Sequence, residues 1–404
     1  MKNKKILISG ASIAGPTLAY WLNRYGFNVT IIERAPELRL GGQNIDVKGP
    51  AEKIAIQMGI EKKIREKNTT EMGQRFVTKQ NKLIAEFSKE SALSMTQELE
   101  ILRGDLVQIL YDSTIADVNY IFGDYITNLK EHESGIAVTF SSGKNTSFDL
   151  LLIAEGIGSS TRKIAFRKQP TFKFLGLYTA YLTIAKAPSD SQWSRWCNAE
   201  KGIVYLLRPD NYGSTRASIT FTALEHEYTG LSIEEQKNVL VKRISGSGFE
   251  SERLVEEIQK SKDLYFDRIS QVNSPEWSEG RVAMIGDAAY CATPIAGKGT
   301  DLAMAGAYIL AGELFTSDNY QQAFENYENK MRPYVSKCQK LPPGIPKIVY
   351  PQSKLGLRIL NTVISIVGSK PTKWIMGFFG ADRKKIKTEI ELPDYTLMRQ
   401  VVSN

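Results

Sequence analysis

The stretch "KKILISGASIAGPTLAYWLNRYGFNVTIIER", Lys4 to Arg34, decides the fold. Its short apolar run KILISG reads as a buried parallel strand. Leu18, Leu22 and Tyr25 then recur at helical spacing, and Gly26 ends the helix. The β-branched run NVTIIER supplies a second strand, which completes a strand–helix–strand unit with the usual right-handed crossover. The turn between strand and helix is Gly10-x-Ser12-x-x-Gly15. Gly10 lets the chain turn sharply out of the strand. Ala14 and Gly15 open the helix, where Gly15 allows close packing and the first amides hold an anion. Ser12 stands where such turns usually carry a second glycine. Its small side chain can point away or hydrogen-bond a phosphate. Glu33 closes the second strand, where a carboxylate can accept from both ribose hydroxyls of a dinucleotide.

The rest of the composition narrows the class. A chain of 404 residues is long enough for two or three domains. Lys plus Arg exceeds Asp plus Glu by 52 − 44 = 8, a mild basic excess that favours anionic ligands. No basic run is interleaved with aromatics, so no nucleic-acid partner is expected. Cys197, Cys291 and Cys338 are scattered without metal or disulfide spacing, and no metal is expected. His132, in a hairpin turn, and His226, near a strand end, read as surface residues. Gly10, Ser12, Gly15 and Pro16 break the N-terminal apolar stretch, which argues against a signal peptide. No run reaches the roughly 18 apolar residues of a membrane span, so a cytoplasmic protein without membrane insertion is expected.

Further along, residues 75–87 form a hairpin, "RGDLVQILYDS" a helix, and residues 118–156 a meander ending in a buried strand. From about 170 to 275 the pattern alternates as antiparallel strands, with a helix at "SIEEQKNVLVKRIS". "GRVAMIGDAAY" returns to a buried strand, and helices begin near Gly299 and at "YQQAFENYENKMRPYVSKCQK". Two more apolar helical stretches follow "LPPGIP".

Two later segments join the first turn. "FDLLLIAEGIGSSTR" (148–162) and "RVAMIGDAAYCATPIAGKGTDLAMAGA" (281–307) resemble the second and third signatures of flavin monooxygenases of the para-hydroxybenzoate hydroxylase type. "GGQNIDVKG", "ELEILRGDLVQIL" and "KGTDLAMAGAYILAGEL" are similar to one subgroup, the tetracycline-inactivating flavin monooxygenases. The resemblance implies an α/β fold: a Rossmann-like FAD-binding domain (1–74, 101–168, 276–340), an antiparallel-sheet substrate domain (75–100, 169–275) and a C-terminal helical segment (341–404) bridging them. It implies FAD, with Glu33 on the adenosine ribose, and Arg34 and Arg39 near adenine and pyrophosphate. Arg103, Glu155, Gly156 and Arg162 match cofactor-contacting positions, and Asp46 a position near the flavin. Asp287 ends an apolar strand, where its carboxylate can accept from the ribityl hydroxyls. Pro294, Ile295 and Ala296 lie beside the ring, and Gly297 and Gly299 let it approach.

The chain departs from that pattern at Ser12, at Glu155 for aspartate, at Tyr290 for histidine, and at Lys298 and Thr300-Asp301. The family carries no second fold for NADPH or NADH; its nicotinamide visits the flavin, and a flavin C4a-hydroperoxide transfers one oxygen atom from O2. No catalytic side chain is assigned. Tyr205 and Phe221 are expected to line the substrate site with Ile295, and Trp193 and Trp196 to sit in a loop. The terminal helix is expected to pack through Leu357, Leu360, Val363 and Val367, or to lie on a membrane surface given Lys370, Lys373, Arg383 and Lys384. Removing residues 371–404 should then leave FAD bound and weaken substrate binding. The implied activity is monooxygenation of a polycyclic phenol such as tetracycline by a monomer. A hydroxylase of another aromatic or polyketide metabolite, a reductase of a lipid or polyprenyl group, and a non-catalytic flavin sensor stay open.

Overall fold

A computed structural model describes residues 4–91, 94, 96, 98–369 and 390–395. A six-stranded sheet carries the first core. Its spatial order is Ser278–Glu279, Val282–Met284, Leu150–Ile153, Lys5–Ser9, Asn28–Glu33 and Asn119–Phe122. All neighbours are parallel except the Ser278–Glu279 edge. The central strands are buried on both faces, as their unbroken apolar runs require. The helix Ala14–Arg24 lies against Gly299–Thr316, with Trp21 edge-on to Tyr308 at 4.9 Å and Tyr25 stacked on Phe315 at 4.5 Å. Gly299–Thr316 is apolar on every side and almost wholly buried, which makes it the central helix of the molecule. The expected meander divides: Ile126–His132, Gly135–Phe140 and Asn145–Phe148 form their own sheet, while the strands flanking them join the large one.

A seven-stranded sheet carries the second core, in the order Tyr265–Asn273, Thr171–Ala185, Ser214–Thr222, Ile203–Pro209, Trp193–Ala199, Gly73–Val77 and Leu83–Ser88. It is mixed rather than antiparallel throughout, because Trp193–Ala199 pairs with Gly73–Val77 in parallel. The 73–88 hairpin enters from a distant part of the chain, so no tight turn fixes its direction. Trp193 and Trp196 are therefore strand residues, not a loop pair. One face of this sheet is closed by the helices Ile233–Ile244 and Ser251–Lys260, through Leu240, Ile244, Leu254 and Ile258. The other face turns toward the first sheet. Arg208 ties the seven-stranded sheet to the small sheet of Asn44–Asp46 and Glu100–Leu102, donating to Glu100 and, at 2.8 Å, to Glu71.

The C-terminal segment touches both halves. Helix Lys354–Gly368 lies on the strand Leu83–Ser88, close enough that a side chain at Gly368 would overlap Ala85. Leu357, Leu360 and Val367 are half-buried as expected, but Val363 is 50% exposed. The second apolar stretch, with Lys370, Lys373, Arg383 and Lys384, lies outside the described residues. The tail Ile390–Tyr395 returns to the first core. Tyr395 is 1% exposed and its ring lies over Gly312, while the Tyr308 hydroxyl donates to the Pro393 carbonyl at 2.8 Å. Removal of 371–404 would thus strip part of that core, not only a substrate contact. No described helix is long and apolar enough to cross a membrane.

Candidate active site

Strand order brings the three motifs together. Across the carboxyl ends of four adjacent parallel strands stand Asp287, Glu155, the Gly10 turn and Glu33. Neighbouring strands lie about 4.8 Å apart, so the row spans roughly 15 Å, the reach of an extended dinucleotide. Gly10 has φ +112°, and a Cβ there would sit 2.5 Å from the Ala154 carbonyl oxygen. A Cβ on Gly15 would overlap the Gly10 carbonyl. Both glycines are thus fixed by contact with neighbouring backbone. The Ser12 hydroxyl turns aside and accepts from Arg103 Nη1 at 3.2 Å. Arg103 also donates to the carbonyls of Arg39, at 2.8 Å, and Gly41. Burial and the nearby Arg39 hold its guanidinium below its ordinary pKa. Glu33 is 7% exposed and accepts from the amides of Ala11 at 2.9 Å and Ala35 at 3.0 Å. A carboxylate has about four acceptor positions, so capacity for two hydroxyls is left.

Glu155 turns inward. It accepts from the hydroxyls of Ser9, Ser159 and Thr161 and from the Thr161 amide at 3.0 Å. The methylene that distinguishes it from aspartate is what reaches this ring of donors. Gly156 beside it is open, with φ +82° and no atom near the position of a Cβ. Arg162 is 2% exposed and donates to the carbonyls of Ala288, at 2.6 Å, and Ile157, at 2.9 Å. It locks the second motif to the third. Arg34 donates to Ser160 and lies over the Tyr125 ring, whereas Arg39 is an exposed side chain 3.9 Å from Glu33.

The third motif forms the opposite wall. Asp287 opens onto the cleft, yet the protein around it desolvates its carboxyl and raises its pKa, with Cys291 as a partner. Pro294, Gly297 and Gly299 are exposed, and a Cβ on either glycine would enter open space. Thr293, which enters this loop, has φ +90° and a buried hydroxyl without a hydrogen-bond partner among the described residues. A β-branched residue in that conformation is strained, which marks a constrained loop. Tyr290 points away into the core, donor or acceptor to Tyr327 at 2.8 Å. Lys298 pairs with Asp301 at 2.8 Å in the first turn of the central helix. Asp46, itself paired with Lys48 at 2.9 Å, lies near enough to act on Asp301.

Burial pushes the Asp301 carboxyl up to about 6, against the opposing pull of Lys298. A carboxyl raised on folding favours the native state only while protonated, so its stabilisation is present below about pH 4 and lost as pH rises through 6. Asp301→Asn removes that dependence. The variant's stability relative to wild type should rise by roughly 2–3 kcal/mol between pH 4 and pH 7, read from denaturation curves. A constant difference across that range would contradict this.

The second sheet sorts its side chains otherwise than expected. Tyr205 and Phe221 point into the second core, beneath the helices. Tyr205 bonds Ser247 at 2.5 Å, and Phe221 packs on Tyr228 and Phe266. The strand Ser214–Thr222 alternates cleanly, with Ala217, Ile219 and Phe221 in the core and Ser218 and Thr220 on the other side. That polar parity was the available signal, since the apolar parity of an amphipathic strand goes to the core. On the opposite face Leu177, Val204, Ile269 and Tyr350 form a third apolar cluster, and Ile295 of the third motif packs on it with Trp196 and Val349. Tyr181 and Ser218 border it, and the Tyr350 hydroxyl meets Thr220. Tyr350 came from the C-terminal connection, which no strand pattern announces. Adjacent leucines test the register. Leu207→Ala should cost about 2–4 kcal/mol of stability. Leu206→Ala, on the Val204 face, should leave the melting temperature near wild type and raise the substrate KM severalfold.

FAD fits these residues. Bare glycine backbone floors the cleft, Glu33 keeps free acceptor positions, and Asp287 presents a carboxylate at the far end of the row. The family model described as FAD binding domain matches residues 3–340. A flavin-dependent monooxygenase of Legionella longbeachae is 38% identical over 343 residues, covering 84% of this chain and 88% of that one. Among solved structures, the tetracycline destructases Tet(51) and Tet(55) align with TM-scores of 0.80 and 0.81 at 32% identity, over 98% of this chain and 100% of theirs.

Proposed function

This chain belongs to the FAD binding domain family and is a flavin-dependent monooxygenase; from that premise we propose that it consumes NADPH or NADH and inserts one oxygen atom into a polycyclic phenolic substrate of the tetracycline class, inactivating the drug. Bound FAD supplies the activation of O2 and the oxygen transfer. The protein's own contribution is binding, orientation and exclusion of water. Glu33 holds the ribose, the amides after Gly10 hold the pyrophosphate, and Asp287 holds the ribityl chain. Glu155 keeps the turn 155–161 in shape through its hydroxyl donors. The first turn of the central helix, with Lys298, would favour negative charge on a ring bound beside it.

The packing of Ile295 on Leu177, Val204, Ile269 and Tyr350 carries the substrate reading. It joins the loop assigned to the flavin directly to an apolar floor suited to a flat ring system. Tyr181 and Ser218 at its border offer hydroxyls to phenolic and enolic oxygens. The 32% identity to two tetracycline destructases, across nearly the whole chain, supports the same class. Tetracycline should raise NADPH consumption by the purified protein severalfold in air, and no drug should be lost under argon. Stimulation by simple phenols but not by tetracycline, or loss of drug under argon, would overturn the proposal.

A further inference from the structure

The helix Lys354–Gly368 has no buried residue, although most of its side chains are apolar. Its half-buried face, with Leu357, Leu360, Ile364 and Val367, lies toward the hairpin strand Leu83–Ser88. On the far side Leu355, Ile359, Val363 and Ile366 are 68%, 56%, 50% and 58% exposed. Their spacing of four, four and three residues places them in one stripe along the helix. Single exposed apolar residues are ordinary, but a four-residue stripe on one helix marks an interaction surface.

The charge around the stripe identifies what it meets. From Asn329 to Ser369 the chain has seven cationic residues and no Asp or Glu; Lys330 and Arg332, on the preceding helix, pair with Glu313 and Glu328, and Lys347, Lys354 and Arg358 belong to the segment that carries the stripe. On the helix itself, Lys354 and Arg358 fall, at 100° per residue, along one flank of the stripe. Lys354 lies 4.0 Å from Glu200, which Lys79 also approaches at 3.7 Å, while Arg358 and the nearby Lys347 make no ion pair among the described residues. A second copy meeting this helix face to face would bring the same cations; an apolar stripe on a helix that carries cations and no carboxylate of its own is the pattern of a helix lying in the headgroup region of an anionic bilayer. The fifteen-residue helix is too short to span a bilayer, so it lies on the surface.

We propose that the Leu355–Ile366 stripe with Lys354 and Arg358 seats the enzyme on anionic lipid surfaces. The test is co-sedimentation of the full-length flavoprotein with vesicles of phosphatidylglycerol and phosphatidylcholine, against vesicles of phosphatidylcholine alone. Binding to the anionic vesicles should exceed binding to the neutral ones at least tenfold and should fall with added salt. The double variant Ile359→Glu/Ile366→Glu should lose it about tenfold or more while keeping its flavin absorbance and melting temperature, as both sites are exposed. Lys354→Gln/Arg358→Gln should weaken it severalfold without touching the apolar stripe. Equal pelleting of wild type and the Glu variant, or none of the wild type, would overturn the proposal. So would a wild-type dimer in light scattering that becomes a monomer in the Glu variant, which would assign the stripe to a second copy.

Discussion

Tyr395→Ala should be the most destabilising single substitution outside the cofactor turns. The Tyr395 side chain is buried against Gly312 of the central helix, and its hydroxyl donates to Glu313, itself 2% exposed. Truncation of a buried aromatic costs about 3–5 kcal/mol through lost burial and the cavity left behind. It also leaves the Glu313 carboxylate with Lys330 as its remaining ion-pair partner. A fall in melting temperature of roughly 5 °C or more is expected for a chain of this size. Tyr395→Phe keeps the packing and loses the hydroxyl, so it should lose only about 1–2 kcal/mol. A chain ending at Ser369 should behave at least as badly as Tyr395→Ala. Unchanged melting of the truncated protein would show that the tail lies outside the core.

Asp287→Ala should give a protein that purifies with little or no flavin. Asp287 stands at the end of a buried strand, faces the cleft, and has a thiol as its protein partner. Two to three hydrogen bonds from a ribityl chain to such a carboxylate, each worth about 1–2 kcal/mol, correspond to a loss of affinity of at least about thirtyfold. Asp287→Asn keeps one acceptor oxygen and should retain part of it. The measurement is flavin absorbance per protein, followed by titration of the apoprotein with FAD. Full flavin content in Asp287→Ala would remove the residue from the cofactor site. Glu33→Ala should weaken FAD binding by roughly 1–3 kcal/mol, and it also takes the acceptor from the amides of Ala11 and Ala35.

The first sheet and the row of residues at its strand ends were legible because their signals are local. An apolar run followed by Gly10-x-Ser12-x-x-Gly15 specifies strand, turn and helix within a few residues, and the structure places Glu33, Glu155 and Asp287 at neighbouring strand ends. The second sheet was harder. In Ile203–Pro209 both parities are apolar at Ile203, Val204, Tyr205, Leu206 and Leu207, so periodicity cannot choose a face. Size favoured Tyr205 and Phe221, but large aromatics serve a core as readily as a ligand, and the helices closing that core claimed them. Glu155 shows a different limit: its position matched, while the direction of its side chain depended on Ser9, far away in the chain. The tail residue Tyr395 carried no pattern at all, since its burial comes from a groove over Gly312 made by another part of the chain.

The most direct measurement is the mass of the product formed from tetracycline by the flavoprotein with NADPH under oxygen-18 gas. A monooxygenase gives a product heavier than the drug by one labelled oxygen atom, formed in proportion to NADPH consumed above the background. An unchanged drug, or a product whose added oxygen carries no label, would contradict the proposal.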